Sequence, residues 1–250
     1  MYFCKKKVIS IFKRKHYLPD CIPSNFTDIH SHVLPGIDDG AKTLEDTVYL
    51  IENMISFGFK KIITTPHTIQ NIWNNTPQSI TTSLEYVKKN VGQLTNNIDL
   101  KAASEYFLDD YFISLLEKKK LLTLKDNYVL VEMSYINPPI QLFDFIFQLQ
   151  LSGYKPILAH PERYLFYHAN FSAYQKLKQQ GCLFQVNLLS STGYYGKHVA
   201  KTLDKLLEHK MVDFVGSDFH HKKHIEAFTK PIIIKHIDAL KNASSKNCFF

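Results

Sequence analysis

The sequence predicts an α/β fold of parallel βα units, one domain arranged as a barrel enzyme. Three observations support this. Short apolar, β-branched runs alternate with helical periodicities along most of the chain, the mark of parallel βα units. No internal repeat or low-complexity linker divides those runs. Metal-ligating side chains stand at the ends of successive strand candidates, which is where barrel enzymes gather their active sites.

The strand candidates, in order, are residues 26–30, 61–65, 99–104, 128–133, 156–160, 182–187 and 212–217, seven in all. Between the first two lies an amphipathic helix in which Leu44, Val48, Ile51 and Ile55 share one face. Thr43 is its N-cap, Asp46 follows three residues later, and Gly58 marks the stop. Further helices are expected at 77–91, 109–120, 140–151, 172–180, 197–210 and 232–241, most of them ending near glycine or a lysine cluster.

Composition narrows the function classes. With 45% hydrophobic residues the 250-residue chain can bury one substantial core. No run approaches the ~18 apolar residues of a membrane span. The first residues carry Lys5, Lys6 and Lys7, then Lys13, Arg14 and Lys15, and these leave no room for a secretory core, so a cytoplasmic protein is expected. Cys4, Cys21, Cys182 and Cys248 are scattered without ligand-like spacing and read as free thiols. The net charge of +7 suggests nucleic acid until it is located: residues 1–20 hold six basic residues against Asp20. The remaining 230 residues balance to only +2, which does not describe a phosphate-tracking groove. Residues 1–25 thus read as a basic extension, either a solvated arm or a peripheral contact with anionic lipid or an acidic partner. Residues 26–250 read as the single folded domain.

The strand ends carry the chemistry. His30 and His32 alternate after the first strand, and alternate residues on a strand share a face. Taken singly, a His-x-His is weak, and so is Asp218-x-His220. Glu105 and Glu132 are more telling, because each follows a run that should be buried, where an unpaired carboxylate is costly and a cation relieves the cost. Jointly the strand ends supply His30, His32, His67, Glu105, Glu132, His160, Asp218 and His220, with Asp39 in the loop after the first strand. Nine such residues exceed the needs of one ion and suit two or three divalent cations sharing carboxylates. Ligation by nitrogen and oxygen without thiolate fits manganese, iron or zinc.

These segments carry a resemblance. Asp28-Ile29-His30-Ser31-His32, Gly36-Ile37-Asp38-Asp39-Gly40, Thr64-Thr65-Pro66-His67, Ser104-Glu105-Tyr106, Val131-Glu132-Met133-Ser134, Ala159-His160-Pro161-Glu162-Arg163-Tyr164, Gln185-Val186-Asn187 and Gly216-Ser217-Asp218-Phe219-His220 resemble the polymerase-and-histidinol-phosphatase (PHP) superfamily. Within it, the chain resembles the bacterial tyrosine-protein phosphatases of the CpsB/CapC family. The resemblance implies a distorted seven-stranded (β/α) barrel with three metals, manganese foremost, at its C-terminal mouth. By position, His30, His32, Glu105 and Asp218 would hold one ion; Glu105 would bridge to a second held by Glu132 and His160; Asp39, His67 and His220 would hold the third. Arg163 would grip the phosphate.

The implied activity is hydrolysis of phosphotyrosine on a protein, such as a bacterial tyrosine kinase in capsule or exopolysaccharide control, by metal-activated hydroxide. A phenolate leaves readily, having a pKa of about 10, so a general acid is optional, with His220 or His221 the candidates. Tyr135, Tyr164, Tyr194 and Tyr195 are candidates to flank a mouth that accepts an aromatic ring. Two other readings share the metal chemistry: a small-molecule phosphatase of the histidinol-phosphate type and a nucleic-acid-processing hydrolase, the second disfavoured by the near-neutral body. A metal-containing scaffold without catalysis is a further class, disfavoured by the complete ligand set.

Overall fold

Thr43 begins the first helix as its sequence requires: its hydroxyl accepts from the Asp46 N–H, and the Asp46 carboxylate accepts from the Thr43 N–H. That helix, α1 (Leu44–Ser56), follows the short strand β1 (Thr27–Asp28). The computed structural model describes residues 15–119 and 121–250, so most of the basic extension, with the lipid or partner contact expected of it, lies outside the described residues. Next come β2 (Lys61–Thr64), β3 (His67–Thr68), α2 (Pro77–Asn90), α3 (Gly92–Thr95), β4 (Asp99–Ala102), β5 (Glu105–Phe107) and α4 (Asp110–Glu117). Then follow β6 (Tyr128–Glu132), α5 (Leu142–Leu151), β7 (Lys155–Ala159), α6 (Phe171–Gln179), β8 (Leu183–Asn187), α7 (Lys197–Glu208), β9 (Phe214–Gly216), α8 (Lys222–Phe228) and α9 (Ile237–Lys246).

All strand pairs are parallel, in the order β1-β2-β4 in one sheet and β3-β5-β6-β7-β8-β9 in the other. In place of the seven unbroken strands expected, the described residues form nine segments. The second expected strand breaks at Thr65-Pro66, where proline has no N–H to donate, and the third breaks beside it at Ala103-Ser104. The breaks do not separate the sheets, because Ala103 N–H donates to Thr64 O and Glu105 N–H to Pro66 O. The first and last strands also meet: Asp218 N–H donates to His30 O, His32 N–H donates to Phe219 O, and Ser31 bridges Phe219 in parallel.

Strand alternation makes one interior serve two purposes. On β6 the face that carries Leu130 also carries Glu132, and on β8 the face of Leu183 carries Gln185 and Asn187. Toward the strand N-termini this face is apolar, with Ile29, Ile63, Ala103, Leu130, Ile157, Ala159, Phe214 and Phe250 packed together. Toward the C-termini it is polar. The helices cover the outer faces through the larger cluster containing Leu50, Met54, Phe112, Leu149, Leu177 and Leu203.

Several boundaries differ from expectation, the first and last strands being shorter than expected at 27–28 and 214–216. The helix expected at 232–241 lies at Ile237–Lys246, because the Asp204 carboxylate accepts from the N–H groups of Lys235 and His236 and from the His236 ring, and so sets the start. The short α8 was not foreseen. Packing also begins before residue 26: Leu18 and Cys21 are buried, and Ile232 N–H donates to His16 O. Among the described residues no helix is long and apolar enough to cross a membrane, and Cys21, Cys182 and Cys248 are free.

Candidate metal centre

At the C-terminal mouth, His30 and His32 are fully buried, and each ring is aimed by a second residue. His30 Nδ1 donates to Gln185 Oε1 at 2.6 Å, and His32 Nδ1 donates to Asp38 Oδ2 at 2.7 Å. Both Nε2 atoms are thereby fixed toward the centre, in the way that ligating histidines are oriented by outer partners. Two glycines permit the approach. A Cβ on Gly40 would lie 2.1 Å from His32 O, and one on Gly216 would lie 2.6 Å from His30 Cβ. The loop can therefore fold Asp38 under His32, and β9 can pass close behind His30.

The buried carboxylates stand opposite. Glu105 Oε2 lies 3.1 Å from His30 Nε2, 3.4 Å from His32 Nε2 and 3.1 Å from His67 Nδ1, while its Oε1 is 3.1 Å from His160 Nε2. Asp218 divides its oxygens between two tasks. Oδ1 faces His30 at 3.4 Å, His32 at 3.5 Å and His220 Nδ1 at 3.4 Å. Oδ2 accepts from Arg163 Nη1 at 2.8 Å, from Asn187 Nδ2 and from the Tyr195 hydroxyl. His160 and Asp218, just past the ends of β7 and β9, have φ of 37° and 52°, left-handed values unusual for residues with a Cβ. Such backbone persists where the surroundings hold it, and it gathers at functional positions.

The rim is looser. His67 Nε2 and His220 Nε2 lie 3.4 Å and 3.5 Å from Asp39 Oδ1, and the Asp39 side chain is 51% exposed. His67 Nδ1 sits 2.7 Å from Glu132 Oε1, yet the geometry is not a hydrogen bond's.

Charge and orphaned atoms both suit cations. Burial works against charge on Glu105, but His30, His67 and His160 outweigh it and hold the carboxyl well below its usual range. For Asp218, burial is likewise overcome, by His30, His220 and Arg163. Burial pulls His67 down, yet Glu132 and Glu105 push it up to about 9, a field that would also draw in a divalent ion. Among the described residues, His32 Nε2, His67 Nδ1, His160 Nδ1 and Glu132 Oε1 are buried without a hydrogen bond. Four ligand-type atoms left so at one place, with nitrogen and oxygen donors only, fit a first-row divalent metal. Four sets have donor atoms within 4.8 Å of one another: His32, Asp39, His67 and His220; His30, His32 and Glu105; His30, His160 and Asp218; and His67, Glu105 and Glu132.

All nine residues picked out as ligands therefore meet at one place. Their grouping cuts across the division that the resemblance implies: His67 stands with Glu105 and Glu132 as well as with Asp39 and His220, and His160 stands with His30 and Asp218. Arg163 also lies at the mouth, on Asp218. Its neighbour Glu162 is buried away from it, where Oε1 accepts from Asn187 N–H and Ser190 Oγ. His224 packs against His220 and His221 packs against His224, and neither joins the ligand sets. Sequence reasoning missed the roles of Asp38, Gln185 and Asn187. The signal for two of them was present, since residues 185 and 187 alternate on a strand whose end faces the mouth.

The chain belongs to the family described as "Capsular polysaccharide synthesis, CpsB/CapC", whose model matches residues 26–245. It is 30% identical over 197 residues to the tyrosine-protein phosphatase YwqE of Bacillus subtilis, covering 78% of each chain. It is 27% identical over 200 residues to the tyrosine-protein phosphatase CpsB of Streptococcus pneumoniae, covering 78% of this chain and 82% of the relative. A crystal structure from the work on YwqE and CpsB, described as unique metal-dependent tyrosine phosphatases, superposes with a TM-score of 0.75 at 28% identity. That match covers 86% of this chain and 84% of the other. A zinc-containing histidinol phosphate phosphatase from Lactococcus lactis shares the fold, with a TM-score of 0.51 and 12% identity over 81% of this chain and 90% of the other.

Proposed function

We propose that this protein is a metal-dependent protein-tyrosine phosphatase that acts on a phosphotyrosine protein, a bacterial tyrosine kinase of capsule or exopolysaccharide synthesis. The observation that carries this reading is the convergence of nine ligand side chains around buried nitrogen and oxygen atoms that lack hydrogen bonds. The named activities of the relatives support it.

On this reading the nine strand segments are the seven strands of a PHP-type barrel, with residues 26–250 as the catalytic domain and residues 1–25 as an extension available to a membrane surface. The enzyme works in the cytoplasm. By the division that the resemblance implies, His30, His32, Glu105 and Asp218 would hold one ion, Glu105, Glu132 and His160 a second, and Asp39, His67 and His220 a third. His67 is near enough to Glu105 and Glu132, and His160 to His30 and Asp218, to be shared between them. Two or three ions are required, with manganese expected first and iron or zinc compatible with the same donors. Such ions supply the charge that ionises water near neutral pH and that offsets the phosphoryl oxygens. Arg163 presents a planar fork of donors to a phosphate oxygen. Tyrosine as leaving group needs little proton assistance, so no general acid is required. His220, with Nδ1 donating to the Asp218 carbonyl oxygen, keeps Nε2 turned toward Asp39 as a ligand.

The deciding experiment assays purified protein on a phosphotyrosine peptide and on histidinol phosphate, before and after chelation and with each metal added back. Hydrolysis of the peptide that vanishes with chelator and returns with manganese is expected. Turnover of histidinol phosphate alone would reject the reading.

A further inference from the structure

Arg163 packs against two aromatic rings. Its guanidinium carbon is 4.7 Å from the centroid of Tyr135 and 4.2 Å from that of Tyr195. The three residues come from different places: the loop after β6, the turn Pro161–Arg163 after β7, and the segment before α7. Each ring is anchored in turn. The Tyr195 hydroxyl donates to Asp218 Oδ2 at 3.4 Å. The Tyr135 hydroxyl lies 3.3 Å from His160 Nε2, and its ring stacks on His160 with centroids 5.6 Å apart.

A free arginine side chain loses about 2 kcal/mol of rotamer entropy when it is fixed. Here the rings have already restricted it. With two rings packed against the guanidinium, binding falls to its N–H groups, which match a phosphate in fork geometry. One donor is on Asp218. Arg163 also lines a cavity of about 230 Å³ with Tyr135, Leu165, Tyr195, His198 and Val199. This cavity adjoins the metal centre through Tyr135 and His160.

We propose that Tyr135 and Tyr195 are positioning residues that hold Arg163 at the cage mouth as a ready-made phosphate clamp, an inference that rests on the phosphatase reading above. The rings, rather than the hydroxyls, do the holding.

The test measures binding of inorganic phosphate to the metal-loaded protein by calorimetry, together with metal content and with kcat and KM for a phosphotyrosine peptide. Tyr135→Leu combined with Tyr195→Leu should weaken phosphate binding about tenfold to thirtyfold, the range for a desolvated cation–π contact, with full metal content. KM should rise by more than kcat falls. Tyr135→Phe with Tyr195→Phe, which keeps the rings, should restore affinity to within about threefold. Added to Arg163→Met, the leucine changes should cost little more, since the residues act as one unit. Leucine variants that bind phosphate like the parent, or losses that add to those of Arg163→Met, would overturn the proposal. So would a parent protein whose phosphate affinity does not depend on Arg163. Where the double variant fails to fold, Tyr135→Leu alone serves, because that side chain is 44% exposed. If the parent binds phosphate through Arg163 and the rings yet hydrolyses no phosphotyrosine peptide, the phosphatase reading fails and the clamp stands.

Discussion

The floor of the metal cage and its rim are built on different terms. His30, His32, Glu105 and Asp218 are buried, and His30, His32 and Asp218 each have a partner that fixes their orientation: Gln185, Asp38 and Asn187. Asp39 is half exposed, and His67 meets only other ligand candidates through its ring. The floor is thus arranged before anything binds, whereas at the rim Asp39 is exposed and His67 is aimed only by other candidate ligands. Preorganised groups lose no reorganisation energy at the moment of reaction, and mobile ones permit exchange. The difference teaches where affinity should reside: in the floor, with the rim tuning it.

Breaking the floor should therefore have the largest effect. Glu105→Gln removes the carboxylate that contacts His30, His32, His67 and His160. Loss of activity by a factor of about 10³ or more is expected, with metal lost on dialysis, as read by elemental analysis and a phosphotyrosine assay. A smaller effect is expected one layer out. Gln185→Leu or Asp38→Ala leaves every ligand in place but frees a histidine to turn, and metal affinity should fall about tenfold to a hundredfold by competition with a fluorescent chelator. Asp39→Ala should do less still. About tenfold lower turnover is expected, recoverable by more metal, because one rim ligand of an exposed group is lost while the floor persists. Equal losses for Asp39→Ala and Glu105→Gln would remove the distinction between floor and rim.

The mildest expected effect concerns stability behind the rim. Burial pushes the Glu162 carboxyl up to about 7, against donors from Ser190 and Asn187 that favour its charge. A group whose pKa is raised on folding stabilises most fully below its unfolded value and loses that contribution as pH rises through the folded one. Chelated protein should therefore lose stability between about pH 4.5 and pH 7 through this residue. Glu162→Gln, which stays neutral, should gain in Tm relative to the parent over the same interval. A Tm difference that does not change with pH would show that Glu162 is charged in the folded state across that range.

Much of this was legible in the sequence because it rests on local chemistry. Thr43 and Asp46 announce a helix start that tertiary packing does not alter. Strand alternation places Glu132 on the face of Leu130 wherever the strand sits. The nine candidate ligands could be picked out because strand ends converge in any parallel barrel. What stayed hidden depends on how distant segments turn toward one another. Asp38 and Asp39 are adjacent carboxylates, and only the tight loop, with Gly40 against His32, decides that Asp38 turns inward to aim a histidine while Asp39 faces the rim. The start of α9 depends on Asp204, some thirty residues away on another helix. Pro66 was visible in the sequence, but its effect on the neighbouring strand at Ala103-Ser104 is a tertiary matter.

The seam between the first and last strands has a consequence for biogenesis. His30 and His32 stand on one side of it and Asp218 and His220 on the other, and it is sewn by Ser217 N–H to Asp28 Oδ1 and by Asp218 N–H to His30 O. A ribosome must therefore have released nearly the whole polypeptide before the inorganic cluster can assemble, since contacts so remote in sequence form late. Ions held by these residues would then act as a rivet across that joint. Metal supply would govern how firmly this already closed joint is held as well as how fast the enzyme works.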